Sequence, residues 1–350
     1  MKVKLEDVCK RIYAGGDVPK NRFSESKTKK YSVPIYANAE KNNGLYGYTD
    51  LAKEDELSIT IAARGTIGFV AIRTEPFLPV VRLITLVPNL SKISARYLYY
   101  VLRNLKPKCS GTSIPQLTVP DIKKNGIKLY AISKQEEIAD QLEILDNIIK
   151  IRSQEIKKLD DLIKARFVEM FGDPVINSKN LATKELKNVI ALKAGDFTAA
   201  SDILDEPSES NPYPCYGGNG VRGYVAEYNQ EGEYSLIGRQ GALSGNVQYV
   251  NGKFKNTEHA LLVTPLVEIN SIWLNQLLLN LDLKRYQTGA AQPGISVKNL
   301  QEIPIVCVSI DEQNQFADFV RQIAKSKSVI EKSLKELETL QASLMQKYFS

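Results

Sequence analysis

The chain carries one sequence pattern twice, about 178 residues apart, and each copy ends in a long segment with heptad apolar spacing. The matched positions keep their order along the chain. They include Leu5 and Val8 with Leu186 and Val189, Ala14-Gly15 with Ala194-Gly195, Gly47-Tyr48 with Gly223-Tyr224, Arg64 with Arg239, and Gly65 and Gly68 with Gly241 and Gly245. Solenoid repeats have shorter periods, of roughly 20 to 50 residues, so this pattern predicts two similar globular units.

The first long segment, from Lys134 to Phe171, contains no Gly or Pro and follows a capping-box pattern at Ser133 and Glu136. The second is predicted to start at Asp311, a favourable N-cap residue. Apolar or seam positions step by four and three along both. In the first they are Ile138, Leu142, Leu145, Ile149, Arg152, Ile156, Leu159, Ile163, Arg166 and Met170, and in the second Phe316, Val320, Ile323, Lys327, Ile330, Leu334, Leu337, Gln341, Leu344 and Tyr348.

A helix of about 37 residues spans roughly 55 Å, which is too long for one small domain to cover. We therefore expect the two helices to pair as an antiparallel coiled coil, which buries both seams and gives a pseudo-twofold duplication. Polar seam residues would fix the register of the pair; they are Arg152, Arg166, Lys327 and Gln341. The alternative is two ordinary amphipathic helices, each packed on its own domain.

Short strand-like runs alternate with turns in each globular part, and a helix follows them, at Ala95 to Asn104 and at Ile272 to Leu281. The fold class is therefore α+β, with two similar α/β domains that have curved sheets. Gly172-Asp173-Pro174 marks the end of the first long helix. The predicted segments are 1–133, 134–173, 174–311 and 312–350.

Composition describes an ordinary soluble protein, with a formal net charge of +6, 43% hydrophobic and 25% charged residues. The sequence has neither an apolar run near 18 residues nor a signal-peptide pattern, so we expect a cytoplasmic protein without membrane contact. The four cysteines are far apart and do not recur between the copies, which favours free thiols over a metal cage or a shared disulfide; they are Cys9, Cys109, Cys215 and Cys307.

Residues typical of catalysis do not form a convincing set in this sequence. Its single histidine, His259, has Arg82 at the matching place in the first copy. Neither a P-loop nor a dinucleotide-binding glycine pattern is present. The runs Asn211-Pro212-Tyr213-Pro214 and Gly217-Gly218-Asn219-Gly220 look like methyltransferase and cofactor motifs but fit turns better. We therefore predict a non-enzymatic chain that binds no metal and no cofactor.

Polar, basic and aromatic residues of the kind that contact DNA concentrate in loops. In the first copy the candidate DNA-binding residues are Lys20, Arg22, Lys27, Lys29, Lys30, Tyr31, Asn38, Asn42, Asn43, Tyr46, Arg64, Thr112, Ser113 and Gln116. In the second copy they are Asn219, Arg222, Tyr224, Arg239, Gln240, Lys253, Lys255, His259 and Gln292. The framework repeats while the loops diverge, as expected of two reading heads for different short sequences.

The whole chain resembles the specificity subunits of type I restriction-modification systems. The resemblance rests on the order domain, helix, domain, helix, and on three motifs: Ile132-Ser133-Lys134-Gln135-Glu136-Glu137-Ile138, Ile310-Asp311-Glu312-Gln313-Asn314-Gln315-Phe316 and Phe167-Val168-Glu169-Met170-Phe171-Gly172-Asp173-Pro174. It implies two target recognition domains that read a split double-stranded DNA site through the major groove, and paired helices that set the unread spacer.

The resemblance also implies that catalysis belongs to partners. Two modification subunits would methylate adenine N6 with S-adenosylmethionine, and restriction subunits would cut DNA with ATP and Mg²⁺. A duplicated protein- or glycan-binding scaffold is the main alternative, and steep loss of affinity with salt would separate the two. A self-sufficient methyltransferase is a further alternative, which binding of labelled S-adenosylmethionine to the isolated chain would support.

Overall fold

The computed structural model describes residues 1–105, 116–289 and 293–350. The chain forms two compact units, which share the two long helices. Unit 1 comprises residues Met1–Ser153 and Lys332–Ser350, and unit 2 comprises Gln154–Glu331. The boundaries between units thus fall inside the long helices, whereas the predicted segments end where the helices begin and end.

Unit 1 combines short strands with short helices. Its elements are β1 (Lys2–Lys4), α1 (Leu5–Val8), β2 (Cys9–Ala14), β3 (Val33–Tyr36), a 3-10 turn (Lys41–Gly44), β4 (Leu45–Thr49), β5 (Ser58–Ile61), β6 (Val70–Arg73), β7 (Leu78–Pro79), β8 (Ile84–Pro88), α2 (Ala95–Arg103), α3 (Val119–Lys124), β9 (Gly126–Lys128), the first part of α4 (Ile132–Phe171) and the last part of α7 (Ile310–Phe349). In the described part, the strands form sheets in the orders β2-β8-β5-β6, β4-β3-β7 and β1-β9.

Unit 2 repeats this order of elements. They are the last part of α4, β10 (Thr183–Glu185), β11 (Ile190–Ala194), β12 (Tyr213–Gly217), β13 (Gly220–Val225), β14 (Gln230–Gly238), β15 (Val247–Asn256), β16 (Ala260–Pro265), α5 (Ser271–Asn280), α6 (Val297–Gln301), β17 (Pro304–Val306) and the first part of α7 (Ile310–Phe349), with 3-10 turns at Leu186–Asn188, Ala200–Asp202 and Leu283–Tyr286. The strand orders are β11-β16-β14-β15-β12-β13 and β10-β17. The predicted fold class is confirmed.

The two units differ where one strand is interrupted. In unit 2, β15 is continuous and carries the β12–β13 hairpin on the same sheet. In unit 1, the matching stretch is divided into β6 and β7 by residues 74–77, which include Pro76. Proline cannot donate a ladder hydrogen bond and is disfavoured inside a sheet. The β3–β4 hairpin therefore pairs with β7 in a separate sheet.

The recurring glycines allow close backbone approach. A Cβ atom on Gly47 would clash with the ring of Phe23 and the carbonyl of Ser24, and one on Gly223 would clash with the carbonyl of Leu204. These glycines lie next to the residues that tie the preceding segment to the hairpin by paired backbone hydrogen bonds. Their recurrence in the sequence thus reports the same packing in both units.

The long helices begin earlier than the sequence pattern indicates. Helix α4 begins at Ile132, and the N–H groups of its first turn reach the carbonyl of Ala131, so the predicted capping box at Ser133 is wrong. Helix α7 begins at Ile310. There Ser309, rather than the predicted Asp311, makes a capping box with Glu312, because its hydroxyl accepts from Glu312 N–H and its own N–H reaches the Glu312 carboxylate.

A buried glutamine attaches the start of each long helix to its own unit. Gln135 accepts a hydrogen bond from Ser94 N–H at 2.8 Å and donates to the carbonyls of Lys92 and Tyr130. Gln313 likewise accepts from Asn270 N–H at 2.9 Å. These bonds hold the N-termini of α2 and α5 against the long helices. They explain why Gln recurs in the two motifs at the helix starts.

The two long helices pair in antiparallel fashion within unit 1. Tyr348 donates to Gln141 at 3.0 Å, and Gln341 donates to Asp146 at 2.7 Å, so residue numbers fall along α7 as they rise along α4. Tyr348 is buried in the core of this unit together with Ile138 and Leu142. The last residues of the chain are thus part of the core of unit 1.

Unit 2 shows the same antiparallel pairing by other contacts. Lys327 Nζ lies 2.7 and 2.9 Å from the carboxylate oxygens of Asp160, and Phe316 packs on Phe167 and Phe171 with ring centroids 5.5 and 5.6 Å away. Polar seam residues therefore take part in the pairing, as predicted for Lys327 and Gln341. Ordinary amphipathic helices that pack only on their own domains would lack these contacts between α4 and α7.

The described cysteines are unpaired, and the described helices fall short of membrane spans in length or hydropathy. Cys9, Cys215 and Cys307 are free thiols, and burial raises the pKa of Cys9 to about 12; Cys109 lies outside the described residues. Among the helices that the structure describes, none is both long enough and apolar enough to cross a membrane.

Candidate nucleic-acid interface

Unit 1 brings three separate loops together around Asn38. The Asn38 side chain accepts a hydrogen bond from Ala63 N–H at 2.8 Å and donates to the carbonyl of Val81. Both ends of this amide are therefore engaged in holding the loops after β3, β5 and β7. Asn38 was predicted to contact DNA, and the structure gives it a role in fixing the loops that would do so.

Arg64 projects from the β5–β6 loop at this cluster. Its Nε donates to Gln116 Oε1 at 3.1 Å, and Leu117 N–H donates to the Ala63 carbonyl at 3.0 Å. Two predicted residues that are 52 positions apart in the chain are therefore neighbours. Arg64 is exposed, and its guanidinium retains further donors for a ligand.

Arg82, which was not among the predicted DNA-binding residues, lies at the same cluster. It follows Val81, whose carbonyl receives the Asn38 hydrogen bond, and both Val81 and Arg82 have positive φ, at 51° and 64°. Both are also exposed. A β-branched residue in this conformation is unusual, and such backbone is often found at functional sites. The repeat had already pointed to this position, since Arg82 matches His259.

The β3–β4 loop, residues 37–44, presents a further pair of predicted residues. Asn42 and Asn43 are both exposed, and both have left-handed backbone, with φ of 52° and 55°. Asparagine tolerates this conformation better than most residues. Tyr46 follows on β4, is 52% exposed and packs against Phe23 at a centroid distance of 5.6 Å.

The basic segment before β3 is exposed and partly ion-paired. Arg22 Nε lies 2.7 Å from Asp50, and this hydrogen bond lowers the pKa of the Asp50 carboxyl and raises that of Arg22. Lys30 lies over the Tyr31 ring at 5.0 Å. The remaining predicted lysines are exposed on the same segment; they are Lys20, Lys27 and Lys29.

Strand register aligns the loops of the two units residue by residue. Ile61 and Ile237 hold matching positions, since each is the last residue of its strand that pairs with both neighbouring strands. Counting onward from these, Arg64 corresponds to Gln240. The sequence match of Arg64 with Arg239 is therefore wrong by one residue. Arg64 directly precedes Gly65, whereas Gln240 separates Arg239 from the matching Gly241.

Unit 2 assembles the corresponding cluster from other side chains. His259 Nδ1 lies 3.1 Å from Gln240 Oε1, and His259 Nε2 lies 3.1 Å from the Glu258 carboxylate. Arg239 N–H donates to the His259 carbonyl at 2.9 Å. In unit 1 the matching backbone N–H, that of Ala63, donates to the Asn38 side chain instead. Unit 2 has a glycine, Gly218, at the position that matches Asn38. Gly218 fits there because a Cβ atom would meet the His259 carbonyl at 3.0 Å.

The other predicted residues of unit 2 lie on the β12–β13 hairpin and along β15. Asn219 and Arg222 belong to the hairpin, where Arg222 is exposed, and Tyr224 is half-buried in its ladder with Leu204. Lys253 lies over the Tyr228 ring at 4.8 Å, and the hydrogen bond with Tyr228 raises the pKa of Lys253. Lys255 Nζ lies 3.6 Å from Asp196, whose pKa is lowered by Asn229 and then by Lys255.

Three predicted residues lie outside the described residues: Thr112, Ser113 and Gln292. Within the described ranges, no group of three or more His, Cys, Asp or Glu side chains is arranged to hold a metal ion. The chemistry of both clusters is that of hydrogen-bond donors and acceptors on loops, which suits recognition of a polar surface such as a base edge.

Family comparison defines the class of protein. Residues 1–161 and 178–339 each match the type I restriction modification DNA specificity domain. The chain therefore belongs to the family of type I restriction-modification DNA specificity proteins. The predicted relationship is confirmed.

Individual relatives agree with this assignment. Over 332 residues the chain is 30% identical to the specificity subunit of the type I restriction enzyme EcoprrI from Escherichia coli, covering 87% of this chain and 79% of the relative. It matches the crystal structure of a type I S subunit from M. genitalium with a TM-score of 0.65 and 19% identity, covering 100% and 96% of the two chains. A chain from a study of type I complex assembly and conformational transition matches at a TM-score of 0.57 and 17% identity, with 99% and 97% coverage. Both structures share the fold of this chain.

Proposed function

We propose that this chain is the specificity subunit of a type I restriction-modification complex, and that each unit reads one half of a bipartite double-stranded DNA target through the major groove. The observation that carries this proposal is the recurrence of one loop cluster on one framework with different polar side chains. Arg64 and Arg82 occupy it in unit 1, where Gln240 and His259 occupy it in unit 2. A duplicated reader with two different half-sites has this property.

The side chains at the clusters suit different bases. Arginine makes its commonest specific contact with the O6 and N7 acceptors of guanine, whereas glutamine pairs with the N6 and N7 of adenine. Exchange of Arg64 for Gln240 between units would therefore change the preferred base at one position of each half-site. His259 is held by Gln240 and Glu258, which orients its ring at the surface.

Phosphate contact comes from the exposed basic residues. In unit 1 these are the lysines before β3, and in unit 2 Lys253 is exposed. The half-buried Lys255, which is paired with Asp196, is the second candidate in unit 2. Some of this charge is already paired with carboxylates, as in Arg22 with Asp50, and the formal net charge is only +6. Partner subunits are thus expected to supply part of the phosphate contact.

The long helices set the spacer between half-sites and dock the modification subunits. Their regular seam supports the first role, because 40 residues give a rod of roughly 60 Å. The second role is supported by exposed apolar residues on the outer surface of α4, where Ile144 and Ile151, one heptad apart, are 59% and 53% exposed. In this proposal, two modification subunits bind S-adenosylmethionine and methylate adenine, and restriction subunits use ATP and Mg²⁺.

The decisive experiment is adenine-methylation sequencing of DNA from cells that express this chain with its modification subunits. A modified motif made of two short halves and a fixed unread gap is the expected result. The complex should also lose DNA affinity steeply as salt rises, since binding releases counterions. A complex that forms normally yet leaves DNA without a bipartite motif would contradict the proposal, and salt-insensitive binding of protein or glycan would favour a scaffold.

A further inference from the structure

A buried arginine lies beneath the β3–β4 loop of unit 1. Arg73, on β6, is only 3% exposed. Its guanidinium carbon lies 3.6 Å from the centroid of the Tyr36 ring, its Nε donates to Thr60 Oγ1 at 3.1 Å, and its Nη2 donates to the carbonyl of Asn43 at 2.8 Å. Burying an arginine is costly unless its donors are satisfied, and here one of them is directed at a loop rather than at a core partner.

The loop that Arg73 holds has an unfavourable backbone. Asn42 and Asn43 are consecutive left-handed residues, followed by Gly44 with φ of 78°. Ala37 N–H donates to the Gly44 carbonyl at 2.9 Å and closes the loop at its base. The Asn43 carbonyl has a fixed partner in Arg73, so the guanidinium selects this arrangement of the loop over others.

Unit 2 has neither the arginine nor the long loop. Arg73 pairs with Ser58 in the β5–β6 ladder, and the residue at the matching ladder position in unit 2 is Val250, which pairs with Tyr234. Val250 is buried in an apolar cluster with Phe254. The matching hairpin turns through Gly218 and Asn219 alone, between β12 and β13. The framework therefore folds without a buried charge at this position, and the arginine accompanies the longer loop.

We infer that Arg73 is a positioning residue, which fixes the Asn42–Asn43 loop for base recognition and thereby sets specificity at the half-site of unit 1 without touching DNA. This inference rests on the proposed function. The guanidinium is suited to the task because it stacks on Tyr36 and donates in two directions at once. Lysine keeps the charge but has neither the planar stack nor the fixed fork.

The test compares Arg73→Met and Arg73→Lys with the wild type, each assembled as the full complex with modification subunits. Affinity is measured for the cognate duplex and for duplexes that carry single substitutions in either half-site. Both variants should lose discrimination at one or two positions of the unit 1 half-site, by roughly 5- to 150-fold, the range for one base contact. Discrimination at the unit 2 half-site should stay unchanged, and methylation motifs should relax in the same half.

A matched control separates positioning from stability. Tyr97→Phe removes a part-buried hydrogen bond from Tyr97 Oη to the Lys128 carbonyl, in the same unit and with no bond to the β3–β4 loop. It should lower the melting temperature and leave base discrimination at each half-site the same as in the wild type. If Arg73→Met abolishes all binding, the ratios of cognate to substituted-duplex affinity measured for Arg73→Lys test the positioning role.

Unchanged discrimination at the unit 1 half-site in a folded Arg73 variant, or an equal loss at both half-sites, overturns the inference. Failure of the proposed function looks different, because the wild type itself would then show no bipartite motif. If the wild type reads two half-sites and the Arg73 variants read both normally, the proposed function stands and only the role of Arg73 is rejected.

Discussion

Arg64 in unit 1 and Gln240 in unit 2 occupy the same place in the strand register, three residues beyond Ile61 and Ile237. Each also contacts a neighbouring loop residue, Gln116 in one case and His259 in the other.

Because of this equivalence, Arg64→Ala and Gln240→Ala should each relax a single base position, in opposite halves of the target. The expected cost is about 1–3 kcal/mol of binding discrimination for each base contact that the substitution removes. Competition binding with duplexes substituted at every position measures it. Arg239→Ala serves as the comparison. If Arg239→Ala relaxes base choice and Gln240→Ala does not, the structural alignment of the two loops does not extend to function.

Lysines of the basic segment should act without regard to sequence. Lys27→Ala and Lys29→Ala are expected to weaken binding of cognate and unrelated duplexes alike. Each should reduce the slope of log affinity against log salt by roughly 1, because one lysine fewer then neutralises a phosphate. Lys298→Ala, on α6, is a control that removes the same charge outside the segment. A change in base preference in either variant would mean that these lysines read bases.

The length of the paired helices should determine the unread gap. Removing residues 156–162 and 325–331 together deletes one heptad from each helix of unit 2 and keeps the seam in phase, shortening the rod by roughly 10 Å. Methylation sequencing should then show a gap shorter by about three base pairs. Asp160→Asn, which disrupts the ion pair with Lys327 without changing length, should keep the original gap. An unaltered gap after the double deletion would remove the ruler role.

The buried glutamines at the helix starts should matter for stability in their own units. Gln135→Leu leaves Ser94 N–H and two carbonyls without their partner, and should cost at least about 1–3 kcal/mol. The same change at Gln313 should destabilise unit 2. Urea unfolding followed by hydrogen exchange locates the loss. Lys134→Ala, which removes only a surface ion pair with Glu137, should have little effect. Similar midpoints for Gln135→Leu and wild type would contradict the prediction.

Acid should weaken one polar contact of unit 2. Tyr249 and Ser271 donate hydrogen bonds to Glu233, at 2.7 and 2.9 Å, and lower its pKa. A lowered folded-state pKa stabilises the fold above the unfolded value of about 4.3, and this contribution is lost as pH falls through the folded value. The stability difference between wild type and Glu233→Gln should therefore shrink between pH 7 and pH 3. A stability difference that is constant over this range would show that protonation of Glu233 is not coupled to folding.

Local periodicity made the helices and strands predictable, since seam spacing and alternation depend on near neighbours in sequence. The start of α4 was not predictable in this way. The hydrogen bonds of Gln135 with Tyr130 and with Ser94, at the start of α2, place the helix start just after Ala131. These partners come from other elements. The Ser133 pattern is a common local signal that tertiary contacts override.

The candidate site was predictable only in part. Exposed polar residues in the loops were recognised by composition, but the proximity of Arg64 to Gln116 depends on loop packing across 52 residues. Asn38 looked like a base reader because its type suits that role, and only the structure shows that its amide binds loop backbone. Arg82 was missed although the repeat matches it with His259, because no local pattern reports a left-handed turn at a charged residue. Arg73 was not singled out, since burial cannot be inferred from a single arginine.

The inclusion of the chain's last residues in unit 1 has a consequence for biosynthesis. Tyr348 and Phe349 pack into the core that contains Tyr97, whereas unit 2 is one continuous stretch, residues 154–331. A ribosome therefore delivers everything unit 2 requires before unit 1 has its final helix turn. The unit whose translation begins first therefore completes its fold last. Until then, nascent unit 1 exposes part of its apolar surface, to which chaperones can bind.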